Sequence, residues 1–489
     1  MTPLEMDRGD IANVLRSHRP DVLVDASGPF QAMDYAVPRA CIAAGVAYCD
    51  IADGREFVCG IRNLDEPAKT AGVPVISGAS SVPALSGALV RQLAGGLDHV
   101  SAVEIAISAS NKATIGPAVA SAIIGQVGQP LQLWRGGRWT RRYGWQDQVE
   151  LSFTVKGVRP IRKRLVALAD VPDLSLIPDR LRGKPSCTFR AGTELFVQNK
   201  ALWLASWLVR WGLVRNLSVA APVLKSLQRL TGAFGTDRST MLVRLFGNCG
   251  ERRLERRWTL IADHGDGPEI PSLAIPLLVE RVLAGREAPG ARDAGESLVL
   301  KDFREAFARL SVSTEVVEVE QPVPLYQRVM GSAWDGLPDS VRALHSPLRN
   351  AGAAGEARVT GASNIFGRVI ARFMGFPPAG THKVHVEFSE RDGVERWTRD
   401  FGGRSFASEL SEKNGQLQER FGPLRFRFDL GPRPDGLEMI MRGWSLFRVS
   451  LPLSFAPRSH AIERDQAGTF HFEVPIALPI IGLVTRYEG

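Results

Sequence analysis

Short apolar runs alternate with segments of helical pattern along the first hundred residues. Residues 21–26 (DVLVDA) are nearly continuous in apolar character, as in a strand that is buried on both faces of a sheet. Residues 46–51 and 73–77 have the same character, and a helix is predicted after each of the three runs. This order of strand and helix implies right-handed crossovers and a parallel sheet.

The pattern changes beyond residue 100. Residues 103–108 and 151–155 alternate between apolar and polar positions, which is typical of a mixed or antiparallel sheet with one open face. Residues 201–230 are predicted to be helical, with Trp203, Trp207 and Trp211 forming one stripe. We interpret residues 99–318 as a mixed α+β domain for substrate binding or dimerisation.

The end of the chain predicts a third type of structure. Residues 315–324 carry acids and two prolines and form the preferred domain boundary. After short helices predicted between residues 325 and 373, strand-like runs are separated by the turns at residues 391–393, 413–415 and 434–436. Residues 325–489 are therefore predicted to be a mostly antiparallel β domain.

Charge and cysteine content narrow the class of protein. The net charge is +8, but the arginines mostly have acids nearby, as in residues 251–257, which favours a solvated surface and no nucleic-acid partner. Five cysteines without a CxxC pair, behind a polar N-terminus, indicate a reduced, cytoplasmic protein. The most apolar stretch, residues 201–214, is shorter than the ~20 residues of a spanning helix, so peripheral membrane contact stays open, as does a homodimer.

Three segments carry a family resemblance. Residues 21–31 (DVLVDASGPFQ), 48–53 (YCDIAD) and 76–86 (ISGASSVPALS) resemble, in order and spacing, the saccharopine-dehydrogenase-like oxidoreductase family. The resemblance covers roughly residues 8–310 and is sharpest before Ser86. It implies a Rossmann-type domain in residues 1–98 that binds NADP or NAD, and hydride transfer to or from a small-molecule substrate.

The resemblance also implies a cofactor rim. Ligands of a doubly wound sheet bind beyond the carboxyl ends of the strands. The residues that follow these ends are expected to contact the cofactor: Ala26, Ser27, Gly28, Pro29, Phe30, Asp50, Gly78, Ser80 and Ser81. The alternative is that the glycines form tight βα turns and that Asp53 caps a helix. Neither catalytic residues nor metal ligands are assigned; His382 and His385 have no further ligand at a suitable spacing.

The sequence departs from the family at its start. The family opens with a strand, a glycine-rich turn and a helix that hold the pyrophosphate, and no such turn precedes Asp21. The predicted sheet is therefore incomplete, and residues 21–26 would form an unpaired apolar edge. Three explanations of the missing strands stay open at this point: the natural chain begins upstream, the protein has lost conventional cofactor binding, or a partner chain supplies the missing strands.

The C-terminal part resembles a domain of unknown function that is often fused behind such dehydrogenases. The resemblance rests on residues 325–331 (LYQRVMG), 397–401 (WTRDF) and 480–489 (IIGLVTRYEG). Five aromatic residues of this part are candidates to enclose an apolar ligand: Trp397, Phe401, Phe406, Trp444 and Phe447. An ordinary aromatic core is the alternative. Two functions follow: an oxidoreductase of unknown substrate, or a non-catalytic protein that binds a lipid or another apolar metabolite.

Overall fold

The computed structural model describes residues 7–31, 33–112, 116–215, 217 and 231–489. They form two units. The N-terminal unit contains the chain up to Trp134 together with residues 139–245 and 255–319, and the C-terminal unit contains residues 135–138, 246–254 and 320–489. None of the helices in these ranges has the length and apolar character needed to cross a membrane.

A four-stranded parallel sheet opens the N-terminal unit. Its strands lie in the order β1 (Val22–Asp25), β2 (Ala47–Asp50), β3 (Pro74–Ser77) and β12 (Gly290–Asp293). The intervening helices are α1 (Ile11–His18), α2 (Ala36–Ala44), α3 (Arg55–Gly60), α4 (Asp65–Ala71) and α5 (Ser86–Ala94). Gly45 and Gly72 end α2 and α4 in the left-handed conformation, as glycine permits. The predicted parallel sheet is confirmed, whereas β12 was not predicted.

Strand β1 lies at the edge of this sheet. Within the described residues it pairs with β2 alone, in the register Val22 to Ala47. Val22 and Leu23 are half-buried, and Val24 exposes 44% of its surface. The expectation that this run is fully buried on both faces is wrong. Val22 and Leu23 pack against cores on opposite faces but stay half-buried, and only one flank of the strand pairs with described residues.

A seven-stranded mixed sheet forms the rest of the N-terminal unit, which confirms the predicted α+β character. The strands are β4 (His99–Ser108), β7 (Val149–Phe153), β8 (Ile161–Leu168), β9 (Ser186–Gly192), β10 (Ser239–Cys249), β11 (Arg252–Ala262) and β13 (Val312–Glu320), in the order β13-β11-β10-β4-β9-β8-β7. β5 (Pro130–Arg135) and β6 (Arg138–Tyr143) form a separate hairpin. Strand β13 occupies much of the stretch that composition suggested as a boundary.

Within the described ranges, five further helices belong to this unit: α6 (Pro117–Gly125), α7 (Asp173–Arg180), α8 (Phe196–Arg210), α9 (Ala274–Leu283) and α10 (Arg304–Ala308). The predicted tryptophan stripe is confirmed, since the rings of Trp203 and Trp207 lie 6.1 Å apart and those of Trp207 and Trp211 lie 5.4 Å apart. Helix α8 begins earlier than predicted and ends at Arg210. Residues 218–230 of the predicted helix lie outside the described residues.

The C-terminal unit is a closed antiparallel sheet. It begins with the short helices α11 (Leu325–Met330) and α12 (Asp339–Leu344). The strands are β14 (Asn350–Gly361), β15 (Gly380–Arg391), β16 (Val394–Phe401), β17 (Arg404–Lys413), β18 (Gln416–Phe421), β19 (Leu424–Arg433), β20 (Gly436–Leu446), β21 (Val449–Leu451), β22 (His460–Gln466), β23 (Thr469–Leu478) and β24 (Gly482–Glu488), with helix α13 (Ile365–Phe373) between β14 and β15. Because β19 pairs with both β18 and β20, ten strands close into a ring.

The antiparallel prediction for this unit is confirmed, with corrections. Residues 325–373 were expected to be short helices, but β14 lies among them. Strands β17 and β18 were also missed, although the turn between them was found. The closed sheet has two cores of buried residues, one around Trp397 and Leu417 and the other around Phe401 and Tyr487.

Candidate functional site

The four parallel strands of the N-terminal unit end in a row of polar residues. Asp25 lies beside Asp50 in the register of β1 and β2, and Asp293 lies beside Ser77 in the register of β12 and β3. Cys49 pairs with Ile76, which places Asp50 level with Ser77. The row lies at the carboxyl edge, where a doubly wound sheet binds its ligands.

Asp50 fastens the turn that follows β3. Its carboxylate is fully buried and accepts hydrogen bonds from the backbone N–H of Gly78 (2.7 Å), the backbone N–H of Ala52 (2.9 Å) and the hydroxyl of Ser77 (3.0 Å). Burial raises the pKa of Asp50 to about 6, and the hydrogen bonds from Gly78, Ala52 and Ser77 act in the opposite direction. The arrangement gives Asp50 a structural role.

The turn at Gly78 packs closely against neighbouring residues of the same chain. Gly78 has φ +85°, and a Cβ at this position would lie 2.6 Å from the ring of Pro83. Ser80 and Ser81 are buried, and the N–H of Ala79 donates to the carbonyl of Asp50 at 2.8 Å. The backbone amides of Gly78, a predicted cofactor contact, and of the adjacent Ala79 are therefore used inside the protein.

The turn after β1 is more accessible. Ala26, Ser27 and Pro29 are exposed, and Gly28 is half-buried. Ser27 donates its N–H to Asp25 at 3.0 Å, and Arg8 forms an ion pair with Asp25 at 2.9 Å. Phe30 is buried, with its ring 5.3 Å from that of Phe57. The carboxylate of Asp53 accepts from Gln31 at 3.0 Å, and the cap of α3 is Gly54, so Asp53 does not cap this helix.

These residues fit a nicotinamide dinucleotide only in part. The exposed turn of Ala26, Ser27 and Pro29 can contact a ribose or a ring at the carboxyl edge. The described helix termini that follow β1, β2 and β3 lack a glycine-rich turn for a pyrophosphate. The predicted rim therefore remains a prediction, and its accessible part is one turn.

Charged side chains surround the end of β12. Asp293 is almost fully buried and forms ion pairs with Arg180 (2.6 Å) and Arg62 (3.1 Å). Burial opposes the charge of Asp293, but hydrogen bonding and charge of Arg180 outweigh it and hold the pKa below its ordinary value. Arg281 and Arg292 are both paired with Glu287, so each arginine at this 170 Å³ depression already has a carboxylate partner.

A larger cavity lies within the closed sheet. Its volume is about 590 Å³. Most of its lining is aliphatic or aromatic, with contributions from nearly every strand, among them Val384, Phe388, Phe401, Phe426, Met439 and Leu478. The side-chain period of two explains this lining: Val384, Val386 and Phe388 of β15 point inward, whereas the intervening His385 and Glu387 contact residues 135–138.

One arginine is held among the apolar groups. Arg399 lies between Trp397 and Phe401 on the inner face of β16. Its guanidinium is 3.6 Å from the carboxylate of Glu419, donates to the hydroxyl of Ser408 at 2.9 Å, and lies 5.2 Å from the centre of the Trp397 ring. These contacts stabilise the positive charge of Arg399, which the largely apolar surroundings would otherwise disfavour.

A second polar group lies beside it. The fully buried ring of His345 hydrogen-bonds to the carboxylate of Glu463 and stacks on Tyr326, with ring centres 3.7 Å apart. Burial, followed by the nearby carboxylates of Glu463 and others, raises the pKa of Tyr326 well above its ordinary value. Burial also raises the pKa of Tyr487 to about 12, against the opposing charge of Arg399. Both phenols therefore stay protonated and are hydrogen-bond donors in the cavity wall.

The predicted aromatic set is only partly in the lining. Trp397 and Phe401 line the cavity, while Phe406 is not among the lining residues and is buried against Phe376. Trp444 donates to the carbonyl of Pro452, and Phe447 exposes 75% of its surface. The polar residues Tyr326, His345, Glu419 and Glu463 were missed. A signal was present for Glu463, which occupies an inward position of an alternating strand, where an apolar residue is expected. Glu419 lies on β18, a strand that was missed.

Comparison with known proteins identifies the C-terminal part. A family model described as a domain of unknown function, DUF4166, matches residues 337–489, which contain all strands of the closed sheet. This confirms the resemblance of that part to a domain of unknown function. No curated protein matches the chain.

Two solved structures share a weak likeness with the chain. An amine dehydrogenase from Mycobacterium smegmatis is 12% identical, with a TM-score of 0.28, and the alignment covers 58% of this chain and 78% of that one. GenD2 from gentamicin A biosynthesis, in complex with NAD, is 11% identical, with a TM-score of 0.27, and the alignment covers 63% of this chain and 81% of that one.

Proposed function

We propose that the closed sheet binds an apolar small molecule of lipid type whose polar end is uncharged. The observation that carries the proposal is the cavity of about 590 Å³. Protein interiors are otherwise packed at the density of organic crystals, with few voids larger than a water molecule. A cavity of this size, lined by aliphatic and aromatic groups with a few polar ones, has the properties of a small-molecule site.

The charges in the cavity wall favour an uncharged polar end over a carboxylate. The wall contains the carboxylates of Glu356, Glu419 and Glu463. The guanidinium of Arg399 is already paired with Glu419, and Glu463 is hydrogen-bonded to His345. A ligand carboxylate would lose its hydration and meet this excess of negative charge. A hydroxyl or carbonyl group would instead exchange hydrogen bonds with Tyr326 and Tyr487.

Equilibrium titration of the full chain with a long-chain alcohol and with the fatty acid of equal length tests this proposal. Each is measured by displacement of an environment-sensitive apolar fluorophore. We expect the alcohol to displace the fluorophore at least tenfold more effectively than the acid at neutral pH. If neither compound nor the fluorophore binds, the cavity is not a ligand site.

Two matched substitutions locate the binding. Ala461 lines the cavity, so Ala461→Leu fills part of the volume and should weaken binding at least tenfold. Ala407 is half-buried on β17 and is not part of the lining, so Ala407→Leu should leave the affinity unchanged. Equal affinities of the two variants would place the ligand elsewhere.

A second candidate function is that of an oxidoreductase that uses NADP or NAD and an apolar small-molecule substrate. The in-register polar row at the carboxyl edge of the parallel sheet supports it, together with the family resemblance of the three loops. The bound nicotinamide would supply the hydride chemistry. The exposed turn of Ala26, Ser27 and Pro29 would contact the ribose or the ring.

Titration with NADPH and NADH, followed by the shift of the melting temperature, tests this second function. Ala26→Glu adds a carboxylate beside the proposed rim and should weaken nucleotide binding at least tenfold. Ala71→Glu makes the same change at the exposed end of α4 and should have no effect. Absence of any shift with either nucleotide would contradict binding by this chain.

A further inference from the structure

One end of the closed sheet carries most of the exposed apolar side chains of the C-terminal unit. The antiparallel pairing places five connections at this end: residues 362–379, 402–403, 422–423, 447–459 and 479–481. The hairpin turns at residues 392–393, 414–415, 434–435 and 467–468 lie at the opposite end. We infer that the first end, here called the docking face and formed by α13, residues 447–455 and Ile480, binds the surface of an anionic lipid bilayer.

Helix α13 is apolar on two sides. Ile365, Phe366, Val369 and Phe373 recur on one side at helical spacing and expose 63%, 71%, 64% and 88% of their surfaces. On the other side Ile370 and Met374 line the cavity. A helix that only covers a core needs apolar residues on the side that faces the core. The apolar residues on the exposed side of α13 therefore indicate a further binding partner.

The exposed side of α13 is continuous with the other parts of the docking face. Ser363 and Asn364 hydrogen-bond to the carbonyls of Leu483 and Ile481, which fixes the start of α13 beside the turn that exposes Ile480 completely. The backbone N–H of Arg458 donates to the carbonyl of Ala477, near the end of β23. This bond fixes the end of the segment in which Phe447 and Phe455 expose 75% and 62% of their surfaces.

The charge of the face indicates its partner. The five connections contain Arg368, Arg372, Arg448 and Arg458 and neither aspartate nor glutamate. All four arginines are exposed, and in the described chain none of them forms an ion pair. Apolar and aromatic groups beside arginines form the composition that inserts into the headgroup region of an anionic membrane.

The inference is independent of whether the cavity holds a ligand, because it rests on the exposed surface. It gives the proposed cavity a source of ligand. Helix α13 would separate the hydrocarbon of the bilayer from the cavity, so an apolar molecule would pass from one to the other without crossing water. A second copy of the chain, or another protein, would cover the same apolar groups without needing the unbalanced positive charge.

Co-sedimentation of the full chain with vesicles tests the inference. One set contains phosphatidylcholine alone, and the other contains phosphatidylcholine with about 30% phosphatidylglycerol, an anionic lipid that gives the vesicle a negative surface potential. We expect binding to the anionic vesicles that falls at least tenfold in high salt. Phe366→Ser/Phe373→Ser should lower it at least tenfold, and Arg368→Glu/Arg372→Glu should abolish the preference for anionic lipid.

Control variants and a second measurement separate a specific loss of vesicle binding from a general loss of structure. Two control variants also change an exposed apolar side chain and exposed arginines: Val394→Ser at the opposite end of the sheet, and Arg304→Glu/Arg309→Glu at the start and just beyond the end of α10. Both should bind vesicles as the unaltered chain does. Fluorophore binding is measured in the same samples. Vesicle binding that is absent while the cavity binds its fluorophore would overturn the inference alone. So would a dimer in sizing chromatography that the phenylalanine substitutions convert to a monomer.

Discussion

At the residue scale, buried polar groups define both candidate sites, and their environments differ. One carboxylate oxygen of Asp50, Oδ1, accepts from three donors, two of the backbone and one of Ser77, which are the partners of a structural carboxylate. Arg399 and Glu419 face a cavity and retain about one eighth of their side-chain exposure. The first arrangement shapes a turn, and the second leaves room for a ligand.

Because the pKa of Asp50 is raised in the folded state, the free energy of unfolding should depend on pH. Its folded-state pKa of about 6 lies above the unfolded value, so the folded state binds more protons between roughly pH 4 and 6. The contribution of this group to the free energy of unfolding therefore falls as the pH rises through that window and is constant above it. Asp50→Asn should remove this slope, which amounts to about 1–3 kcal/mol.

Urea unfolding of the unaltered chain and of Asp50→Asn between pH 4 and 7.5 measures this effect. The difference between the two curves should change sign or size within the window and be flat above pH 7. A difference that does not vary with pH would show that Asp50 titrates normally.

Removing Arg399 alone should destabilise the protein more than removing the charges of both Arg399 and Glu419. Arg399→Met removes the cation and leaves the carboxylate of Glu419 in an apolar wall, which should cost about 2–4 kcal/mol of unfolding free energy. Adding Glu419→Gln to that variant should recover a large part of the loss, because no unpaired charge remains. Equal stability of the single and double variants, measured by urea unfolding, would argue against a desolvated pair.

At the element scale, several of the strands predicted from the sequence are rich in β-branched or aromatic residues. Residues 384–388 and 395–401 are the strand-like runs on either side of the predicted turn at residues 391–393, and they belong to β15 and β16. Strand β14 was missed because its sequence, NAGAAGEARVTG, is rich in alanine and glycine, which are depleted in strands. Strand β12 has only four residues, Gly-Ala-Arg-Asp, and its place is set by pairing with β3, a contact distant in sequence.

The candidate sites were predictable to different degrees. The loops after β1, β2 and β3 could be located because glycine and proline mark the ends of strands. Their burial could not, because it depends on tertiary contacts such as the ring of Phe30 against that of Phe57. The cavity was suggested by aromatic content alone, whereas its polar residues depend on which strand positions point inward once the sheet closes.

Helix α13 is held to the sheet through Gly367. A Cβ at this position would lie 2.8 Å from the Cβ of Ala362 and 3.1 Å from the carbonyl oxygen of Leu483. Gly367→Ala should therefore push the helix away from β24, lower stability by about 1–3 kcal/mol and accelerate release of the cavity fluorophore. Gly336→Ala, where a Cβ meets nothing within 4 Å, is the control and should change neither quantity. Unchanged release from Gly367→Ala would mean that α13 does not gate the cavity.

At the scale of the whole molecule, the two units present different chemistry. The N-terminal unit has a parallel sheet whose carboxyl edge is polar and whose accessible turn is small. The C-terminal unit encloses an apolar cavity and exposes an apolar, arginine-bearing end. We propose that the cavity of the closed sheet holds an apolar ligand.

Quenching of tryptophan fluorescence by a brominated long-chain alcohol tests this claim most directly, because bromine quenches only at short range and Trp397 lies in the cavity wall. Saturable quenching is expected in the unaltered chain and in Trp139→Phe, a change in the N-terminal unit, and most of it should be lost in Trp397→Phe. Quenching that is absent at saturating alcohol, or that is the same in Trp397→Phe as in the unaltered chain, would contradict a ligand in this cavity.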